Sequence, residues 1–351
     1  MDKKVLLSVR DLTVKFRVRG SVLTAIRGIC LDLYEGESIA IVGESGSGKS
    51  VFTKTFAGML EANGYIDKGS IVFYDGKETD LTKLRRGKDW RKLRGGKIAT
   101  VFQDPMTSLN PIVTIGKQIT SVILQHQSCS EGEARTRALK LMKKVGIPDA
   151  ERRFDDYPFQ YSGGMRQRIV IAIALSCQPR ILICDEPTTA LDVTIQAQIL
   201  KLIKDLQKEF GFTIVFITHD LGVVANIADR VAVLYAGQVV ELGTVEEVFY
   251  DPRHPYTWAL LSSLPQLAQR STQLFSIAGT PPSLYSEIRG DAFAPRNPYC
   301  LKVDTLMEPP MFQLSDTHFA RTWLEDPRAP KTEKPELIRD IHKKLTDAFN
   351  I

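Results

Sequence analysis

Five short apolar stretches punctuate the chain: SIAIV (38–42), KIATVFQ (97–103), ILIC (181–184), FTIVFI (212–217) and VAVLY (231–235). Runs of this length, rich in β-branched residues, suit strands buried on both faces. At the N-terminus, MDKKVLLSVRDLTV alternates apolar and polar positions, as a strand with one wet face does. Between the runs the spacing becomes helical. Over 131–145, Ser130 and Glu133 form a capping-box pair, Leu139, Met142 and Val145 share a stripe, and Gly146 with Pro148 ends the helix. From about 194 to 210, Ile195, Ile199, Ile203, Leu206 and Phe210 form a second stripe, and Gly211 stops it. Strands alternating with helices predict an α/β domain around a largely parallel sheet. Residues 104–178 carry mostly helical signals and read as a subdomain inserted between two strands. Beyond 262 the periodicity weakens and proline becomes frequent, so a boundary is placed there, with 263–351 as an extension.

Composition adds limits. The chain has 351 residues, 43% hydrophobic and 25% charged, the profile of a soluble globular protein. A net charge of +5 is too mild to imply a nucleic-acid partner. Nothing at the N-terminus reads as a signal peptide. The longest apolar run, IVIAIAL (169–175), falls far short of the roughly 20 residues that span a bilayer. Five scattered cysteines with no C-x-x-C pair fit a reducing cytoplasm better than a disulfide framework.

The chemistry sits at three turns. GESGSGKS (43–50) follows the strand SIAIV and precedes a helical stretch, matching G-x-x-x-x-G-K-[ST]. Gly43, Glu44, Ser45, Gly46, Ser47 and Gly48 would turn backbone N–H groups toward a phosphate. Lys49 would reach the β- and γ-phosphates and Ser50 would bind Mg²⁺. A chance Gly/Ser turn is the alternative, and both flanks argue against it. In ILICDE (181–186), Asp185 is placed for Mg²⁺ and Glu186 for polarising an attacking water. Two acids at a strand end are otherwise only a solvated turn. YSGGMRQR (161–168) is a second glycine turn, with Ser162 as helix N-cap. A helix over 163–177 is roughly 22 Å long at about 1.5 Å per residue, which holds Ser162 about 20 Å or more from the chain's own phosphate loop. This turn is therefore expected to meet a nucleotide held by another subunit; an ordinary helix cap is the other reading.

Taken in order, GESGSGKS, the glutamine of VFQDPMTSLNP, YSGGMRQR, ILICDEP, TTALD and FITHD resemble the motifs of ATP-binding-cassette ATPase subunits over residues 5–262. The resemblance implies a RecA-like P-loop NTPase core with an antiparallel β subdomain and a helical subdomain, paired head to tail around two ATPs. It implies that Ser162, Gly163, Gly164 and Met165 act on the partner's ATP. Gln103 would sit at the Mg²⁺ and water end and couple to a membrane subunit. His219 would contact the γ-phosphate, Asp192 would belong to a loop crossing the dimer interface, and Phe16 would stack on adenine. TTALDVTIQAQIL, HDLGVVANIADRVAVLYAGQVVELG and DPRHPYTWALLSSLP resemble the peptide and nickel importer branch, and most of all the first ATPase subunit of Gram-positive oligopeptide permeases. That implies peptide uptake driven from the cytoplasmic face of the membrane. The implied partners are a paralogous ATPase subunit, two transmembrane permease subunits and an external peptide-binding lipoprotein, with no nucleic acid. A nickel importer, a regulatory subunit with little turnover, and a soluble cassette acting on nucleic acid are the competing readings. Glu186 and His219 speak against the second, and a single cassette with HPYT against the third.

In that branch the tail often carries four cysteines resembling an iron–sulfur ligand set. Aligned by the anchors F-A-P-R and E-P-P, those positions fall on Asp291, Asn297, Asp304 and Thr322, while Cys300 lies off the frame. Such clusters need thiolates, so none is expected. Phe293, Pro295, Pro309, Pro310 and Trp323 would keep the tail folded by packing; a hard cation between Asp291 and Asp304 is the alternative. His318 is read as a surface or packing residue. Finally, residues 77–97 hold nine Lys/Arg against three acids, either a solvated segment or a surface for anionic lipid or an acidic partner.

Overall fold

The computed structural model describes residues 4–84, 87–189, 191–264, 277–336, 338–339 and 341. Strands β1 (Val5–Val18) and β2 (Ser21–Tyr34) pair antiparallel across a tight turn in which Arg19 and Gly20 both have positive φ, the backbone that matches strand twist. Strand β3 (Ser38–Val42) is buried throughout. Two more strands, β4 (Gly64–Tyr74) and β5 (Glu78–Asp80), complete an antiparallel sheet in the order β2-β1-β4-β5.

The second sheet contains all five predicted runs. Strands β6 (Ile98–Val101), β7 (Ile181–Asp185) and β8 (Thr213–Ile217) lie parallel with β3, followed by β9 (Arg230–Tyr235), also parallel to β3. Strand β10 (Gln238–Thr244) then runs antiparallel to β9. The apolar cluster between the two sheets includes Leu7, Val9, Ile39, Ile41, Phe52, Ile183 and Val215. Every chain end that matters for chemistry emerges from the carboxyl edge of this parallel sheet, where such folds place ligands.

Between β6 and β7 the chain is helical, as its pattern predicted: Ile115–His126, Glu131–Lys144 and Gly163–Leu175 are the longest of these helices. The Ser130–Glu133 capping box is present. Burial on Glu131–Lys144 follows Ala134, Ala138 and Met142, while Leu139 is only partly buried. The small alanine faces let the neighbouring helices approach, which a stripe drawn through the larger side chains misses. Helix Val193–Phe210 buries Ile199, Ile203 and Leu206 and ends at Gly211, whose φ of 71° closes it.

Beyond residue 262 the chain is not a separate core. Short strands β11 (Phe312–Gln313) and β12 (Phe319–Ala320) continue the main sheet, giving β11-β12-β10-β9-β3-β8-β7-β6. Ala292, Phe293, Ile338 and Ile341 share one apolar cluster with Tyr235, Tyr256 and Trp258. His318 proves to be a packing residue: its Nε2 lies 2.8 Å from Glu241, a carboxylate with 0% exposure. The Glu241 carboxylate also accepts the N–H groups of Arg253 (2.8 Å) and His254 (2.9 Å). Burial drives His254 down to about 3, so it stays neutral and caps helix Pro255–Ser262 through Nδ1.

Within 77–97, Arg94 donates to the carbonyls of Ala57 and Gly58, Lys97 pairs with Asp75 at 2.7 Å and Lys83 with Asp80 at 2.9 Å. Arg85 and Arg86 lie outside the described residues, while Arg91 and Lys92 are exposed. Arg94, Lys97 and Lys83 thus have partners within the chain, which supports the solvated reading. Replacing Arg85, Arg86, Arg91 and Lys92 by Gln is expected to leave sedimentation with anionic vesicles unchanged; a clear loss would restore the lipid reading.

Candidate functional site

At the end of β3 the chain turns sharply. A Cβ on Gly43 would lie 2.1 Å from the Leu234 carbonyl oxygen, so no other residue fits. Gly48 has φ 105° and a Cβ there would meet the Ala25 carbonyl and Ile26 Cδ1, each at 2.9 Å. The turn leads directly into helix Lys49–Phe56, whose first amides have no intrahelical acceptor. Lys49, only 7% exposed, crosses back over the loop to the carbonyls of Gly43 (2.8 Å) and Glu44 (2.9 Å). Burial lowers its pKa, and the carboxylates of Glu186, Asp185 and Glu44 oppose that shift. Ser47 Oγ is buried without a hydrogen-bond partner. A buried cation, orphan amides and a spare hydroxyl around one loop fit a polyphosphate.

Across from the loop, Ser50 Oγ donates to Asp185 Oδ1 at 3.0 Å, the pairing expected of two residues that share one cation. Burial raises the Asp185 pKa and the neighbouring Glu186 raises it further. A bound Mg²⁺ would relieve both effects, so the donors present fit it.

Glu186 stands at the centre of the site. Its φ of 47° is left-handed, a strained setting for a side chain, and its N–H is held by the Ile217 carbonyl at 3.0 Å. The carboxylate accepts from Gln103 Nε2 (3.2 Å) and Thr189 Oγ1 (3.1 Å) and meets His219 Nδ1 (3.2 Å). Gln103, Glu186 and His219, read from three separate motifs, are thus brought together. Thr189 lies within TTALD, and its only signal in the sequence is its position three residues after Glu186.

Other expected residues lie elsewhere in the chain. Ser162 caps helix Gly163–Leu175, accepting from Met165 N at 3.4 Å, and Ser162 and Gly163 face solvent. Gly164 packs against Ile195, where a Cβ would come within 2.8 Å. Asp192 is an exposed cap of Val193–Phe210, accepting from Ile195 N at 3.0 Å. Phe16 departs from expectation. It is 9% exposed and its ring lies against Gly64 on β4, so it presents no free face for stacking on adenine. The reason is that glycine on the neighbouring strand leaves room for the ring to fold inward.

In the tail, all four frame positions are buried and each accepts a backbone N–H. Asp291 takes Phe293 (3.0 Å), Asn297 takes Tyr299 (2.9 Å), Asp304 takes Leu301 (2.5 Å) and Thr322 takes Leu324 (3.3 Å). Oxygens that cap turns replace the thiolates, and this donor set does not fit an iron–sulfur cluster. Among the described residues no group of three or more His, Cys, Asp or Glu is placed to hold a metal, so a cation there would rest on the carboxylates of Asp291 and Asp304 alone. Burial, with Asp304 adding, pushes Asp291 up to about 6.

Comparison with known proteins agrees with this geometry. The ABC transporter family profile matches residues 26–189, and that of the oligopeptide/dipeptide transporter C-terminal region matches residues 240–303. The oligopeptide transport ATP-binding protein AmiE of Streptococcus pneumoniae is 64% identical, over 99% of this chain and 97% of its own length. The oligopeptide transport ATP-binding protein OppD of Bacillus subtilis is 54% identical, over 98% of this chain and 96% of its own. Among solved structures, the dimeric ATP-binding cassette MJ0796, in a post-hydrolysis state bound to ADP and Pi, has a TM-score of 0.59 at 29% identity, covering 68% of this chain and 98% of its own. A phosphate loop facing a fixed carboxylate, on a cassette fold with this tail, leaves one conclusion: the chain belongs to the ABC transporter ATP-binding proteins, in the group that carries the oligopeptide/dipeptide transporter C-terminal region.

Proposed function

We infer that this chain is the ATP-hydrolysing, energy-coupling subunit of an importer for oligopeptides. The convergence of Gln103, Thr189 and His219 on Glu186, opposite the phosphate loop, carries the enzymatic part. Likeness along nearly the whole chain to oligopeptide transport ATP-binding proteins supports the cargo.

In this reading the loop amides and Lys49 bind the β- and γ-phosphates. Lys49 exchanges the Gly43 and Glu44 carbonyls for phosphate oxygens. Ser50 and Asp185 hold Mg²⁺, which when bound neutralises phosphate charge. Glu186 orients and polarises the attacking water, with Gln103, Thr189 and His219 fixing its carboxylate. Ser162, Gly163, Gly164 and Met165 project from the chain to close on a nucleotide held by a paralogous ATPase subunit, and Asp192 faces that interface. The pair would sit peripherally on the cytoplasmic face of the membrane, against two transmembrane permease subunits served by an external peptide-binding lipoprotein. No helix among the described residues is long and apolar enough to cross a membrane.

The test is ATP hydrolysis by the membrane complex recovered through a tag on this chain, with and without binding protein loaded with short peptides. Stimulation by peptide is expected. Healthy basal turnover without stimulation would shift the cargo toward nickel or another solute, because the ATPase does not touch the cargo. Failure to recover any membrane partner would overturn the transport reading. The isolated chain should hydrolyse ATP poorly, because in this reading the Ser162–Met165 turn closes on a partner's nucleotide rather than on its own.

A further inference from the structure

The tail reaches into the nucleotide site. Arg296, whose side chain is 4% exposed, forms a forked pair with Glu44, the second residue of the phosphate loop: Nη1 to Oε2 at 2.7 Å and Nη2 to Oε1 at 2.9 Å. Its remaining N–H groups go to Tyr235 Oη (3.2 Å), the Ala278 carbonyl (2.9 Å) and the Ile277 carbonyl (3.3 Å). Every N–H of the guanidinium is therefore used, which fixes its position in a way a lysine would not. Nearby, Pro281, Pro282 and Leu284 line a crevice with residues 44–47 of the loop, and the Leu284 carbonyl accepts Thr24 N at 3.0 Å.

Glu44 is an awkward residue for this loop. Its carbonyl accepts Lys49 and its N–H donates to Tyr256 Oη at 2.8 Å, so its backbone belongs to the cradle. Its carboxylate acts on Lys49, raising that lysine's pKa, and so is a negative charge beside the place where a polyphosphate binds; like charges there repel. Arg296 is the cation that pairs with it and draws it toward the tail.

We propose that Arg296 is a positioning residue of the ATP site, acting through Glu44: it neutralises and restrains that carboxylate so that the phosphate loop can accept ATP. The C-terminal extension is then part of the nucleotide site rather than an appendage to it. The tail adjusts affinity for ATP through one ion pair and leaves the hydrolytic residues alone.

Calorimetric titration of the full chain with ATP tests this. Arg296→Met is expected to raise Kd about tenfold, which corresponds to roughly 1.4 kcal/mol. Adding Glu44→Gln to that variant removes the stranded charge and is expected to bring Kd back to within about threefold of the parent chain. His318→Gln loosens the tail at Glu241, away from the loop; it should lower Tm while leaving Kd unchanged. A Kd for Arg296→Met within twofold of the parent, absence of rescue by Glu44→Gln, or an equal loss in His318→Gln would each overturn the proposal. Should Arg296→Met fail to fold, Arg296→Gln takes its place, with the same limits on Kd and on rescue by Glu44→Gln. Affinity is the readout, so the result does not depend on which solute is carried.

Discussion

Glu186→Gln is expected to leave ATP binding intact and to lower hydrolysis by the assembled transporter at least ~100-fold, the scale of a lost, positioned general base. The amide keeps the shape of the carboxylate and one acceptor oxygen, so Thr189 or Gln103 retains a partner. What disappears is the full negative charge that polarises water. Nucleotide affinity should hold, because Lys49 and Ser50 contact the phosphate side of the site and Glu186 does not touch them through a hydrogen bond. Removing a carboxylate near the phosphates also lessens repulsion. Single-turnover hydrolysis and ATP titration on the same preparation separate the two effects. Near-normal turnover would move the base elsewhere, and His219, 3.2 Å from the carboxylate, would be the next residue to examine.

The parallel part of the main sheet was legible because each of its strands, β6, β7, β8, β3 and β9, carries its own signal. SIAIV and FTIVFI are apolar but for Ser38 and Thr213 and sit between partners on both sides, as β3 and β8 do. The GESGSGKS loop and the Asp185–Glu186 pair were equally legible as motifs, since each is a run of residues adjacent in sequence. What resisted reading depends on distant pairings. Arg296 and Glu44 are 252 residues apart, and His318 and Glu241 are 77 apart; nothing local to either marks its mate. The β11–β12 hairpin consists of two-residue strands, too short for any periodicity, and it exists because β10 offers an unpaired edge. Leu139 and Phe16 show a second limit. Burial there is decided by a small neighbour, Ala138 or Gly64, rather than by the size of the apolar side chain itself. Even the left-handed φ of Glu186 is invisible in ILICDE, because that backbone is imposed by the Ile217 carbonyl from the adjacent strand.

Lys49→Ala should act on binding itself, weakening ATP affinity about 10- to 100-fold, the range for losing one or two charge-assisted hydrogen bonds. The structure sets two consequences apart. Without phosphate, Lys49 bonds the Gly43 and Glu44 carbonyls and so ties the loop across its own mouth. Deleting it also leaves Asp185 and Glu186 without the cation that their charges support, since both raise the lysine's pKa against the pull of burial, while Glu44 keeps Arg296. The empty site would then carry a larger negative field, which opposes a polyphosphate beyond the loss of direct contact. High salt screens that field but cannot restore the missing bonds. Titrating ATP into Lys49→Ala at low and high ionic strength therefore divides the loss: recovery with salt measures the field, and the residue of the effect measures the contact. An affinity unchanged from the parent chain at both would show that Lys49 does not bind phosphate.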